Sequence, residues 1–123
     1  MGDIAIIFSP TAGYEKFYIC ICASNEHGVT QFLYLNSHDG YEGDFLLDGD
    51  EIDCLPKSPT GKSVVCCNTV AKFTDKQLGL YKARKLGVLP QATAAKLIPH
   101  VQTAKALNRL EKNLILAALN AIK

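Results

Sequence analysis

Two stretches of this chain are apolar on both alternating faces, and they constrain the fold more than any other feature. In residues 16–23 one face carries Tyr18, Cys20 and Cys22, while the other carries Phe17, Ile19 and Ile21. Residues 31–35 are also apolar on both faces. Because successive side chains of a β-strand point to opposite faces, such strands need cover on both sides. We therefore predict two central strands of a covered sheet.

Shorter apolar runs predict further strands in the first two thirds of the chain. We expect strands at 4–8, 44–47 and 63–67, the second of them at an edge. Residues 52–55 form another short piece, and residues 70–73 continue the last strand after a bend. The connection from Ser9 to Lys16 contains Pro10, which fixes φ, and Gly13, which permits positive φ. Polar residues on such a connection stand at the mouth of the sheet structure, where functional sites tend to lie.

The final third of the sequence predicts α-helices, over residues 76–85, 90–98 and 103–122. Thr74 or Asp75 caps the first helix, and Gly87 is its expected stop. Pro90 suits a first helical turn, and Pro99 ends that helix because the residue before proline avoids the helical region.

The last helix has a wide apolar stripe from Leu107 to Ile122 that also includes Leu110, Leu114 and Ala118. A stripe of this width requires cover from the sheet or from a second copy of the chain. We therefore expect a homodimer.

Many short strands followed by helices predict an α+β chain, a small β-barrel with C-terminal helices packed against it. A length of 123 residues supports a single domain. We expect the barrel over residues 1–73 and the helical part over residues 74–123.

Composition argues against a membrane-spanning or disulfide-rich secreted protein. No apolar run approaches the roughly 20 residues that a transmembrane helix needs, and the N-terminus lacks the pattern of a signal peptide. The five cysteines are odd in number, and Cys66 and Cys67 are adjacent. That is a poor disulfide framework, so we expect a cytoplasmic protein.

Charge is distributed unevenly along the sequence. Of the 13 basic residues only Lys16 precedes Cys54, whereas ten of the 12 acidic residues do. This asymmetry predicts a basic face suited to a phosphate backbone, although lysines also occur on helices simply for solubility.

Three segments, in this order, resemble the MazF/PemK/Kid toxins: residues 4–16, residues 32–37 (Phe-Leu-Tyr-Leu-Asn-Ser) and residues 63–68 (Ser-Val-Val-Cys-Cys-Asn). The resemblance implies an SH3-like barrel and a homodimer. It also implies a type II toxin–antitoxin system, in which the toxin is a ribosome-independent endoribonuclease for single-stranded RNA and an antitoxin restrains it. The resemblance implies no metal and no other cofactor.

The family's catalytic histidine, arginine and aspartate correspond here to Tyr14, Cys66 and Asn68, whereas Glu15, Ser37 and Cys67 match the family pattern. RNA transesterification needs a base, an acid and a positive group near the phosphate. We expect Glu15 as base, Lys16 as phosphate contact and Tyr14 as donor or stacking surface. The expected RNA contacts are Ser37, His38, Asn68, Thr69 and Lys72, and His38 can replace the missing histidine.

Two other interpretations stay open at this point. The missing catalytic set also fits a non-catalytic protein-binding module on the same barrel, such as a phage- or plasmid-borne inhibitor or an adaptor. A zinc site at Cys20 and Cys22 is disfavoured because Cys-x-Cys in an apolar strand lacks the spacing of structural zinc sites.

Overall fold

The computed structural model describes residues 2–23, 28–36, 44–48, 51–55 and 62–122. The elements in chain order are β1 (Asp3–Ser9), β2 (Tyr14–Cys22), β3 (Val29–Asn36), β4 (Asp44–Asp48), β5 (Lys62–Thr74), α1 (Asp75–Leu80), β6 (Arg84–Val88), α2 (Gln91–Thr103) and α3 (Arg109–Asn120). The chain is thus α+β, with the helices concentrated toward the C-terminus.

The six strands form one antiparallel sheet in the order β4-β5-β3-β2-β1-β6. β2 and β3 are neighbours inside it, as their two apolar faces predict, and β4 lies at an edge as expected. β4 and β6 are the two edge strands, so over the described residues the sheet is open rather than closed into a barrel.

The first hairpin is tighter than the sequence predicts. Ser9 pairs with Tyr14 and Ile7 with Lys16, so β2 begins two residues earlier than expected. Gly13 has φ of 78°, and its N–H donates to the Ser9 carbonyl at 2.8 Å. Tyr14 and Glu15 therefore belong to a strand, where neighbouring side chains point to opposite faces.

β5 is one strand of 13 residues where we expected two, and it contains a bulge. Tyr34 pairs with Cys66 and Phe32 with Ala71, so β5 uses five residues where β3 uses two. Bulges of this kind bend a strand and redirect its side chains. The extra residues include Asn68 and Thr69. Residues 52–55, the other expected short piece, form turns and bends.

The helix predicted over residues 76–85 is wrong beyond Leu80. Thr74 caps α1 as expected, through a capping box with Gln77. The helix ends where the Ala83 N–H donates to the Leu78 carbonyl at 2.9 Å and the Lys82 N–H to the Gly79 carbonyl at 3.3 Å. This Schellman pattern needs a left-handed residue, and Lys82 takes that role with φ of 55°.

The residues after this turn form β6, which pairs with β1 through Ile6–Arg84 and Ala5–Lys85. β6 thus joins the sheet from within the part, 74–123, that we expected to be helical. Gly87 is not a helix stop. It lies in β6, where an added Cβ would come within 2.7 Å of Cys54.

The other two helices differ from expectation at one end each. α2 runs through Pro99 to Thr103 instead of ending at Pro99, because the turn that follows carries the fully buried Val101. α3 begins at Arg109 rather than near residue 103. Asn108 caps it by accepting from the Glu111 N–H at 2.8 Å, while Glu111 accepts from the Asn108 N–H at 3.0 Å.

The two faces of the sheet are covered differently. On one face α2 and α3 pack over strand residues such as Ile19, Leu33 and Val65. The α3 stripe is largely used in this contact, because Leu107, Ile115, Ala118 and Leu119 are buried within the single chain. The opposite face carries a smaller cluster of mainly aromatic residues and is flanked only by α1. Within the described residues no helix has the length and apolarity needed to span a membrane.

Candidate functional site

An open cavity of about 680 Å³ lies on the sheet face opposite α2 and α3. Its lining combines aromatic rings with cationic and amide side chains from four strands and from the first hairpin. The residues that matter for its chemistry are Thr11, Lys16, Tyr18, Tyr34, Asn36, Cys66, Asn68, Thr69, Lys72, Phe73 and Tyr81.

The cavity floor consists of aromatic rings in mutual contact. Tyr18 and Tyr34 are direct cross-strand partners on β2 and β3, with ring centroids 5.2 Å apart. The Phe73 ring of β5 lies 5.6 Å from Tyr18 and 6.3 Å from Tyr81, edge-on in both cases. Such edge-to-face contacts stabilise a rigid platform and leave ring faces available for a flat ligand.

Two lysines stand around this floor. The Lys16 ammonium lies 5.8 Å from the centroid of the Tyr34 ring, within cation–π range. Lys72 lines the cavity from β5. Neither lysine forms an ion pair within the part of the chain that the structure describes. Both positive charges are therefore available to an anionic ligand.

Amide groups and a thiol complete the wall at the β4 side. The Asn36 Nδ2 donates to the Cys66 Sγ at 3.0 Å, and Cys66 pairs in register with Asp44 of β4. Burial, with the nearby Asp44 carboxylate, raises the pKa of the Cys66 thiol to about 11. Burial likewise raises the pKa of Cys67 to about 12. Both groups are neutral thiols at physiological pH, so neither is an activated nucleophile.

These shifts predict an alkaline limit to stability. The folded state favours the neutral forms of Cys66, Cys67 and Tyr18, whose phenol pKa burial raises to about 12. A pKa that is higher in the folded state contributes stability below the unfolded value and loses it as pH rises toward the folded value. We expect urea unfolding to show constant stability up to about pH 8 and a steady decline above about pH 9. Cys66→Ala should make the decline shallower, and a flat profile in the wild type to about pH 10.5 would contradict these shifts.

Glu15 lies outside the cavity. Its carboxylate forms a two-point ion pair with Arg84 of β6, at 2.5 Å to Nη1 and 3.0 Å to Nη2. The hydrogen bond from Arg84 lowers the Glu15 pKa, which makes the carboxylate a weaker base. Because Glu15 and Lys16 are neighbours on a strand, their side chains point to opposite faces.

The structure therefore brings together some of the expected site residues and separates others. Lys16, Asn68, Thr69 and Lys72 line one cavity. Tyr14 is 60% exposed at the hairpin tip, outside the described lining, and Glu15 contacts Arg84 instead. Ser37 and His38 lie outside the described residues.

Sequence analysis missed the aromatic floor and Asn36 as site residues. The available signal was parity: Lys16 and Tyr18 share one face of β2, and Tyr34 and Asn36 share the adjoining face of β3. Arg84 was missed because its strand was predicted to be helical up to residue 85.

Over the described ranges no three His, Cys, Asp or Glu side chains are grouped as a metal site. Comparison of the chain with protein-family models and with curated proteins found no match.

Proposed function

We propose that this protein is a MazF/PemK-like toxin of a type II toxin–antitoxin system that binds and cleaves single-stranded RNA in the aromatic cavity. The observation that carries the proposal is the combination of an aromatic floor with Lys16 and Lys72 in one open cavity. In this proposal the sheet is a relative of the SH3-like barrel, the protein is a cytoplasmic homodimer, and an antitoxin protein restrains it.

The cavity suits an unpaired strand better than a duplex. Bases stack on aromatic faces only when they are free of a partner strand, and such stacking tolerates any base. Tyr34 and Tyr81 offer ring surface in the cavity, while Asn36, Asn68 and Thr69 offer donors and acceptors for base edges or the 2′-hydroxyl. Lys16 and Lys72 supply the positive charge that a phosphate backbone requires.

The reaction in this proposal is attack of a ribose 2′-hydroxyl on the adjacent phosphorus, which breaks the bond to the 5′-oxygen. The 2′-hydroxyl gives up a proton to a base, and the departing 5′-oxygen receives one from an acid. Lys16 and Lys72 stabilise the negative charge that develops on the phosphate oxygens. His38 is the candidate for proton transfer, since it follows the cavity residue Asn36 by two positions in the sequence and titrates near neutral pH.

A non-catalytic binding module on the same fold is the alternative, and one observation favours it. Among the described residues that line the cavity there is no carboxylate and no imidazole, and Glu15 is held by Arg84. The acidic edge strand β4, with Asp44 and Asp48, would then contact a basic protein partner.

One experiment separates the two functions. Purified chain is incubated with a long unstructured RNA in the presence of EDTA, and fragments are examined for 2′,3′-cyclic phosphate ends. We expect cleavage by the wild type, loss of cleavage but retained binding for His38→Ala, and loss of both for Lys16→Ala with Lys72→Ala. Binding without cleavage in the wild type would favour the non-catalytic module. Absence of binding would overturn the proposal, and a monomer mass by light scattering would remove the homodimer from it.

A further inference from the structure

We infer that a second groove beside the cavity binds the neighbouring nucleotide of the same RNA strand. The groove has a volume of about 470 Å³ and is lined by Phe8, Glu15, Leu80, Lys82 and Arg84. This inference rests on the proposed RNA-binding function and extends it to a second subsite, which we call the Phe8 groove.

The Phe8 groove is continuous with the cavity. Phe8 lines both spaces, so a strand leaving the aromatic floor meets this ring next. Phe8 is 38% exposed and Leu80 is 69% exposed, which leaves apolar surface in contact with water. A nucleobase is a suitable cover, because it stacks on an aromatic ring without needing a particular hydrogen-bond pattern.

The charges in the Phe8 groove fit one phosphate. Glu15 and Arg84 neutralise each other in their two-point ion pair. Lys82 adds one positive charge and forms no ion pair within the described ranges. The groove thus presents a net charge of one cation, which matches a single backbone phosphate rather than a polyanionic patch.

The backbone at Lys82 supports a role for its side chain. Lys82 occupies the left-handed position that ends α1, with φ of 55°, where glycine is usually preferred. A non-glycine residue in this region is strained, and strain of this kind clusters at functional sites. Local structure alone would be better served by glycine, whereas lysine places a cation in the groove.

The test uses oligoribonucleotides with 2′-fluoro sugars, which lack the attacking hydroxyl, and full-length protein in fluorescence anisotropy. A short oligomer of about three nucleotides fills the cavity, and one of about six also reaches the Phe8 groove. We expect the longer oligomer to bind the wild type about tenfold more tightly than the short one.

Lys82→Asn removes the cation and keeps a residue that tolerates the left-handed conformation. We expect this variant to lose most of the gain from the longer oligomer and to lower the salt dependence, as the log–log slope, by about 0.7. Affinity for the short oligomer should not change. Lys85→Asn is the matched control, because Lys85 is an exposed lysine of β6 that pairs with Asp3 and lines neither space.

Lys82→Gly distinguishes binding from fold maintenance. We expect a higher midpoint of thermal unfolding together with weaker binding of the longer oligomer, a pair of changes that a purely structural lysine would not give.

Equal affinity of both oligomers for the wild type, or equal effects of Lys82→Asn and Lys85→Asn, would overturn the Phe8 groove while leaving the cavity intact. Failure of the short oligomer to bind would overturn the proposed function, and the groove with it. Loss of a protein partner rather than RNA in Lys82→Asn would assign the groove to that partner and also contradict the inference.

Discussion

Lys16→Ala combined with Lys72→Ala is expected to weaken binding of single-stranded RNA by about 100-fold near physiological salt. Both lysines line the aromatic cavity, and the Lys16 ammonium lies 5.8 Å from the Tyr34 ring. Each lysine that neutralises a phosphate contributes about 0.7 to the log–log salt slope for a single strand. The double variant should therefore lower the slope by about 1.4, as measured by anisotropy over a salt titration.

Lys85→Ala combined with Lys105→Ala is the matched control. It removes the same formal charge from two exposed positions that lie outside the cavity lining. If this pair weakens binding as much as the cavity pair does, RNA is held by overall charge and not by the cavity. The control variant should retain wild-type affinity within about threefold after correction for net charge.

Phe32→Ala is expected to have the largest effect on stability among the residues that support the cavity. Phe32 is 4% exposed, and its ring contacts Tyr18 and Phe73 edge-on with centroid distances of 5.8 Å each. Removing a buried phenyl group costs about 3–5 kcal/mol, because the lost burial adds to the cavity left behind. Since small domains have about 5–15 kcal/mol of stability, the variant should unfold at much lower denaturant concentration.

Phe32→Leu is the control for that prediction, because it keeps most of the volume and removes only the ring contacts. It should cost roughly 1–1.5 kcal/mol in guanidinium unfolding. Leu80→Ala, at an exposed position, should cost under about 0.5 kcal/mol. A loss below about 1 kcal/mol for Phe32→Ala would mean that the aromatic face does not stabilise the sheet.

The central strands were predictable because their signal is local and strong. A run that is apolar at every position, as in residues 17–22, fits only a strand covered on both faces. The helix start at Thr74 was predictable for the same reason, since a capping box is encoded within four residues.

β6 was not predictable, because its strand character depends on a distant partner. Residues 81–85 continue a plausible helical sequence, and only pairing of Arg84 and Lys85 with β1 gives them strand geometry. The left-handed turn at Lys82 also lacks the glycine that normally marks a helix end. Tertiary pairing therefore overrides local preference here.

The candidate site was predictable in its polar residues and not in its floor. Lys16, Asn68, Thr69 and Lys72 follow from strand ends, where polar side chains are conspicuous. Tyr18, Tyr34 and Phe73 resemble ordinary core residues in the sequence, and only the absence of a helical layer on their face, over the described residues, makes them a surface. Glu15 was misplaced because residues 14–16 were treated as a loop, in which neighbours can converge, rather than as a strand.

The most direct measurement is photo-crosslinking of the full-length wild type to single-stranded RNA that contains 4-thiouridine, followed by peptide mass spectrometry. The cavity account predicts crosslinks at the aromatic floor, on Tyr34, Phe73 or Tyr81, and their loss on competition with unlabelled single-stranded RNA but not with duplex RNA. Crosslinks confined to α2 and α3, or equal competition by duplex RNA, would contradict it.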